Sequence, residues 1–359
     1  MREFDQSRRQ LLLGTVGLAT GAAALTAPAA ISANGKPRRL IIDTDPGVDD
    51  ALAIFLALKS PEIKIEAITP VAGNVPLDFT LQNALKLLEV AGRTDIPVAA
   101  GASQPLSRQL ITAANVHGNN GLAGVEFPAP KLRPIATSAP QLIRRIVSES
   151  PGEISIVAIG PLTNLALALR ADPRLASQIR SITIMGGSLS GGNITPAAEF
   201  NSYVDPEAAQ IVYRSGARIT MVGLDVTRKV ALSEAHIQKL ESAANPAGRA
   251  AGRIWRATLE LRGGGSSGGQ LLVHDALALG AYIDPSFVTL QDLHIEVETK
   301  GELTAGETVG YRKAPMRRSA PMAGAADVND DTPFQPNARV AVDVDATRFL
   351  SFLMARLTA

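Results

Sequence analysis

The sequence predicts an α/β protein built on a doubly wound, mostly parallel central sheet with helices on both faces. Three observations carry that prediction. Short apolar runs alternate with longer helical stretches along most of the chain. Those short runs are apolar at consecutive positions, as strands buried on both faces must be. Glycine, asparagine and carboxylate residues cluster just after them, at the strand ends where open parallel sheets bind ligands.

The elements follow in order. Leu40-Ile41-Ile42 is a short, branched strand, and Ala51 to Leu58 is long enough for a helix. Pro46-Gly47 turns the chain between them, which places Asp49 and Asp50 at the helix start, where the macrodipole favours acids. Ile63 to Ile68 is a second strand, ending in Val71-Ala72-Gly73-Asn74. A helix with Leu81, Leu85 and Leu88 on one face is closed by Gly92. Pro97 to Ala100 reads as a short strand, and His117-Gly118-Asn119-Asn120-Gly121 lies in a polar loop without periodicity. A helix over 139–150 runs into the strand Ile154 to Ile159, which breaks at Gly160-Pro161-Leu162-Thr163-Asn164 where another helix begins. Ser181 to Met185 is again a buried strand, ending in Gly186-Gly187. A glycine-rich loop then leads to Asn193 and Glu199-Phe200-Asn201, Pro206 to Tyr213 is helical, and Ala217 to Val222 is a strand closed by Gly223-Leu224-Asp225. Gly263 to Gly269 is a flexible low-complexity loop, after which His274-Asp275 opens an apolar helix. Strands around 292–299 and 338–344, a surface loop from Lys313 to Pro336 and a helix from Ala346 to Leu357 complete the chain.

Composition narrows the function classes. The chain has 359 residues, 46% of them hydrophobic, enough for a sizeable core. No internal repeat divides it, so residues 34–359 read as one domain. With 35 basic and 34 acidic residues and no basic patch, nothing argues for a nucleic-acid partner. The absence of cysteine excludes disulfides, thiolate metal sites and a cysteine nucleophile. Residues 1–33 are expected to be a signal peptide. Arg8-Arg9 precede an apolar, Gly/Ala-rich stretch that ends in small residues, and the pair makes it resemble a twin-arginine signal. The stretch is short and weakly hydrophobic for the competing reading, a membrane anchor, so no stable membrane insertion is expected once the signal is removed. An exported, periplasmic protein follows as the expectation.

The strongest chemical signal is Asp43-Thr44-Asp45-Pro46-Gly47-Val48-Asp49-Asp50. Its four carboxylates fall at one strand end and would repel one another unless a cation neutralised them. Hard, oxygen-rich clusters suit Ca²⁺ or Mg²⁺ rather than zinc. Solvated acids capping a helix are the simpler alternative. The Asp43/Asp45 spacing also fits an aspartate-based phosphatase, although that pattern does not call for Asp49 and Asp50.

The octet followed by Ala51 resembles the signature of the inosine–uridine-preferring nucleoside hydrolases. The resemblance continues in order through Val71 to Asn74, His117-Gly118, Gly160 to Asn164, Met185-Gly186-Gly187, Asn193, Glu199-Phe200-Asn201, Asp205 to Ala209 and Val273-His274-Asp275, and so spans 38–359. It implies the family's Rossmann-like, doubly wound fold and a tightly bound Ca²⁺. The implied ligands are the side chains of Asp45, Asp50 and Asp275 and the carbonyl of Ile159, where the family commonly has threonine. It implies hydrolysis of the N-glycosidic bond of a ribonucleoside through an oxocarbenium-like transition state, with a cation-activated water whose proton Asp45 takes. Asp49 and Asn201, assisted by Asn74, would hold the ribose 2′- and 3′-hydroxyls. Asn193 and Glu199 would bind the 5′-hydroxyl, and Met185 would pack under the ring. His274 and His117 are the candidates for protonating the leaving base; Asp43 and Asp225 are expected to orient loops. A homodimer or homotetramer is implied as well.

The sequence departs from the family on the base side. Arg262 is followed by the Gly263 to Gly269 loop, so no obvious base-contacting side chain remains, although the loop could close as a lid. Trp255 lies upstream and reads equally as core. Asn119 and Asn120 stand where the family often has an acid. A periplasmic binding protein that kept the metal–ribose pocket without turnover is therefore the competing class, and the retained Asp45 argues against it.

Overall fold

The computed structural model describes residues 35–263, 271–312 and 335–359. The proposed signal, nearly all of the Gly/Ser loop and most of the proposed surface loop lie outside them. The first half of the chain comprises β1 (Arg38–Thr44), α1 (Val48–Leu58), β2 (Ile63–Pro70), α2 (Leu77–Val90), α3 (Ala114–His117), α4 (Ala139–Glu149), β3 (Ile154–Ala158), α5 (Thr163–Ala171), α6 (Leu175–Gln178) and β4 (Ser181–Met185). The second half comprises α7 (Phe200–Val204), α8 (Pro206–Tyr213), β5 (Ile219–Val222), α9 (Leu224–Thr227), β6 (Ala231–Leu232), α10 (Glu234–Glu241), α11 (Pro246–Leu261), β7 (Leu271–Leu272), α12 (His274–Ile283), β8 (Val288–Val297), β9 (Thr308–Tyr311), β10 (Ala338–Val344) and α13 (Ala346–Thr358).

Eight strands form one sheet in the order β2-β1-β3-β4-β5-β10-β8-β9. Pairing is parallel from β2 to β10 and antiparallel only for β8 and β9. Side chains alternate across it, so β1 sends Leu40 and Ile42 to one apolar core and Ile41 to another. The first core is closed by α1, α11, α12 and α13, the second by α4, α5 and α8, which is the doubly wound arrangement expected. Because the parallel strands all point one way, the loops after β1, β2, β3, β4 and β5 meet at a single edge.

Several local expectations change. Residues 97–100 are not a strand of their own; Val98 and Ala99 form only isolated bridges to Ile68 and Ile135. The polar loop around His117 contains the single turn α3. The last part of the sheet starts earlier, at Val288, and gains β9, whose four residues have too little length to stand out in a sequence. Helices α10 and α11, unforeseen from the sequence, add a wall over the first core. Among the described residues no helix is long and apolar enough to cross a membrane.

Candidate active site

The octet turns as its residue types dictate. β1 ends at Thr44, Gly47 caps α1, and Asp49 and Asp50 occupy its first turn. Asp50 ties the loop together: Oδ1 accepts from Thr44 Oγ1 at 2.6 Å and from the Asp45 N–H at 3.2 Å. Its Oδ2 accepts from the Gly47 N–H at 2.9 Å and from Asn74 Nδ2 at 3.0 Å. Asp45 is buried, with Oδ2 accepting the Asn74 N–H at 2.7 Å and Oδ1 left without a hydrogen-bond partner among the described residues. Two glycines make room for it. An added Cβ would lie 2.1 Å from Oδ2 at Gly73 and 2.6 Å from Oδ1 at Gly160. Asp275 arrives from the first turn of α12, some 230 residues later in sequence but against the same strand end.

Carboxylate oxygens of Asp49, Asp50 and Asp275 lie within 4.8 Å of one another. Burial, followed by the charge of neighbouring acids, raises the pKa of Asp45 and Asp275 well above the usual carboxylate range and that of Asp49 to about 7; burial also raises Asp50. A buried cluster of this kind holds its charge only with a cation present. The unpartnered Oδ1 of Asp45 and the all-oxygen donor set fit a hard divalent ion. The close trio differs from the implied ligand set in one respect: it includes Asp49, while Asp45 stands beside it. The Ile159 carbonyl accepts from Asn201 Nδ2 at 3.1 Å, which leaves it a second lone pair.

The remaining residues line one cavity of about 170 Å³ at the carboxyl edge of the sheet. It brings together Asp49, Asn74, His117, Ile159, Met185, Asn193, Glu199, Asn201, His274 and Asp275 from well-separated parts of the chain. Asn201 spends Nδ2 on the Ile159 and Met185 carbonyls, both at 3.1 Å, so its amide oxygen is the acceptor it can present to a ligand. Asn74 likewise donates Nδ2 to Asp50 and to the Asp45 carbonyl. Glu199 receives backbone N–H groups of Asn201, Gly187 and Ser202, and Asn193 Oδ1 accepts from the Phe200 N–H at 2.9 Å. Three donors offset part of the burial that raises the Glu199 pKa.

Both expected histidines are present and uncharged. His117 Nδ1 accepts from the Val48 N–H at 3.1 Å, so its proton sits on Nε2, and Nδ1 lies 3.9 Å from Asp49 Oδ1. Burial, with the charge of Arg262, lowers its pKa to about 3. His274 Nδ1 pairs with Thr227 Oγ1 at 2.8 Å, and burial, with the charge of Arg228, lowers its pKa to about 4. Asp43 turns away from the cavity into a buried network. Its Oδ1 accepts from Thr69 Oγ1 at 2.6 Å and Asn164 Nδ2 at 2.8 Å, which cross-ties β1, β2 and α5. Asp225 Oδ2 accepts the Leu189 N–H and holds the loop after β4.

The sequence reading left out one wall. Trp255 and Arg262 line the same cavity from α11 and its C-terminal cap, and Ile194, Phe200 and Leu272 add apolar surface. A spacing of seven residues puts Trp255 and Arg262 on one helix face, a signal available in the sequence had the helix been recognised.

Fold and cavity define an α/β protein with an acid-lined cleft at the carboxyl edge of its parallel sheet. The model of the inosine-uridine preferring nucleoside hydrolase family matches residues 40–351. The chain is 41% identical over 321 residues to a pyrimidine-specific ribonucleoside hydrolase RihA of Enterobacter sp., covering 89% of this chain and 97% of that protein. It is 42% identical, with the same coverage, to the RihA of Citrobacter koseri. Among solved structures it superposes on a plant nucleoside hydrolase, PpNRh1, with a TM-score of 0.82, 38% identity and coverage of 90% and 99% of the two chains. A purine-preferring ribonucleoside hydrolase from Gardnerella vaginalis gives 0.80, 32%, and 89% and 98%. The chain belongs to the inosine-uridine preferring nucleoside hydrolase family, and is thus an N-glycosidase acting on ribonucleosides.

Proposed function

We propose that the protein hydrolyses ribonucleosides, pyrimidine ribonucleosides first among them, to free base and ribose with Ca²⁺ as its resident ion. The observation that carries this reading is the buried Asp45 oxygen without a partner beside the Asp49, Asp50 and Asp275 cluster. Asp50, Asp275 and Asp45 would hold the ion together with the Ile159 carbonyl, and Asp49 stands close enough to share in it. When bound, the ion lowers the pKa of a water and orients ribose hydroxyls. The preference for pyrimidines is supported by the names of the RihA relatives.

The protein's own groups account for the rest. Asp45 Oδ1 takes the proton of the attacking water, since Oδ2 is committed to the Asn74 N–H. Asp49 accepts from the ribose 2′- and 3′-hydroxyls, and Asn201 and Asn74 present amide oxygens to them. Glu199, with Asn193, receives the 5′-hydroxyl, and Met185 supports the ring. As the bond from C1′ to the base nitrogen breaks, positive charge grows on the ribose, and these carboxylates and amide oxygens favour it without reorganising. His117 offers Nε2–H as a neutral donor to the departing base, and His274, at the start of α12, lines the same cavity.

Residues 1–33 act, in this proposal, as a twin-arginine export signal that delivers a periplasmic homodimer or homotetramer. Replacing Arg8 and Arg9 by lysine should leave the protein in the cytoplasm; export unchanged in that variant would remove the twin-arginine route. The enzymatic proposal is tested by ribose release from uridine, cytidine, inosine, adenosine and guanosine, before and after chelation. Release that Ca²⁺ restores is the expected result. Calcium-bound protein that liberates ribose from no nucleoside would leave a binding protein instead.

A further inference from the structure

Trp255 combines three features. It lines the catalytic cavity from α11, it is almost wholly buried, and its indole Nε1 has no hydrogen-bond partner among the described residues. A buried donor left unpaired is costly and calls for an acceptor from elsewhere. Two helical turns further on, on the same face, Arg262 is the only lysine or arginine among the described residues lining the cavity. Its charge is felt at His117, His274 and Asp49, and all of these line the same cavity as the face of α11 that carries Trp255 and Arg262.

We infer that the Trp255 indole N–H is the base-binding donor of this enzyme and pairs with a ring carbonyl oxygen of an oxo-bearing pyrimidine. This rests on the hydrolase reading above and adds to it the determinant of the base. The chemistry requires a donor there. Water adds to C1′, its proton goes to Asp45, and the electron pair of the broken C1′–N1 bond passes to the base, where it spreads onto the carbonyl oxygen beside N1. A neutral N–H donor in a dry wall stabilises that oxygen more as the charge develops, and Arg262 favours the same charge from the next turns of the helix.

Trp255→Phe deletes the N–H and keeps an aromatic ring in the core. kcat/KM for uridine should fall about tenfold, the size of one such hydrogen bond. For 4-nitrophenyl riboside, whose leaving group has no carbonyl, it should stay within about twofold of the parent protein. Unchanged uridine turnover, or an equal fall on both substrates, overturns the inference and leaves the hydrolase standing. No ribose release by the parent protein overturns both. Should the variant fail to fold, the chain's only tryptophan supplies a second readout in an Asp45→Asn background. Uridine, shown by calorimetry to bind, should shift the indole emission saturably, and ribose alone should not. No shift with bound uridine, or the same shift with ribose, refutes the assignment.

Discussion

Asp45 concentrates the chemistry at the scale of single residues. One of its oxygens is held by the Asn74 N–H and the other has no partner, so its position is set before any ligand arrives. Asp45→Asn preserves shape and the Asn74 contact but cannot take a proton. Its kcat should drop by about 10² to 10⁴ with ribose binding largely retained, read from single-turnover release and calorimetry. The histidines predict a pH effect of definite sign. Their folded pKa values, about 3 and about 4, lie below the ordinary value of 6.5. Between those limits the unfolded chain binds more protons, so their contribution to stability is full above pH 6.5 and is lost as pH falls. The steepest loss is about 1.4 kcal/mol per pH unit for each histidine. His117→Gln should flatten the acid limb of a stability-versus-pH curve measured by urea melts with Ca²⁺ present; an unchanged limb would assign the loss elsewhere.

Elements matter because the site is assembled from their ends. Close approach of Gly160 to Asp45 is possible only without a side chain, since a Cβ would sit 2.6 Å from Oδ1. Gly160→Ala should therefore displace the carboxylate and cost about 10² in kcat/KM, with circular dichroism unaltered. The α8 cap is a purely structural counterpart. Asp205 is fully buried and accepts from the Leu106 N–H, Thr163 Oγ1 and the Ala208 N–H, which joins α8 to α5 and to the loop between α2 and α3. Removing its carboxylate leaves three buried donors unpaired. Asp205→Ala should lower unfolding free energy by roughly 3 kcal/mol, visible as a reduced urea midpoint.

For the molecule as a whole, the cation and the proton compete. Burial raises Asp49 to about 7 and pushes Asp45, Asp50 and Asp275 upward, so the cation-free fold carries protons that the unfolded chain would already have released. Above the ordinary carboxylate pKa those groups therefore cost the cation-free fold stability, increasingly as pH rises towards their folded values. A divalent ion relieves that cost. Added Ca²⁺ should raise Tm more at pH 8 than at pH 5, and scanning calorimetry at both pH values with and without chelator decides it. An equal rise at both would mean that the ion binds away from this cluster.

How much of this was legible beforehand follows from where the signals lie. The octet is a local feature: an apolar strand, a Pro-Gly turn and acids at a helix start are encoded by neighbours in sequence, and the structure forms them as expected. The carboxyl-edge placement of Asn74, Ile159 and Met185 was equally readable, because parallel strands buried on both faces leave one ligand-binding edge, whereas Asp275, which follows no parallel strand, was expected there only through the family resemblance. The wall made by α11 was not. Trp255 reads as core by composition, and it is both core and cavity lining, a duality that only packing resolves. Asp49 and Asp50 are neighbours in the octet, and Asp275 joins them from α12, a proximity that only the fold creates. β9 and the isolated bridges at Val98 and Ala99 depend on partner strands rather than on their own few residues. The sequence by itself thus determined the α/β class, the sheet edge and the acid cluster, all products of short-range pattern. Tertiary structure alone decided which acid oxygens stay unpaired among the described residues and which helix walls the cavity, because those depend on distances between segments that the chain brings together only on folding.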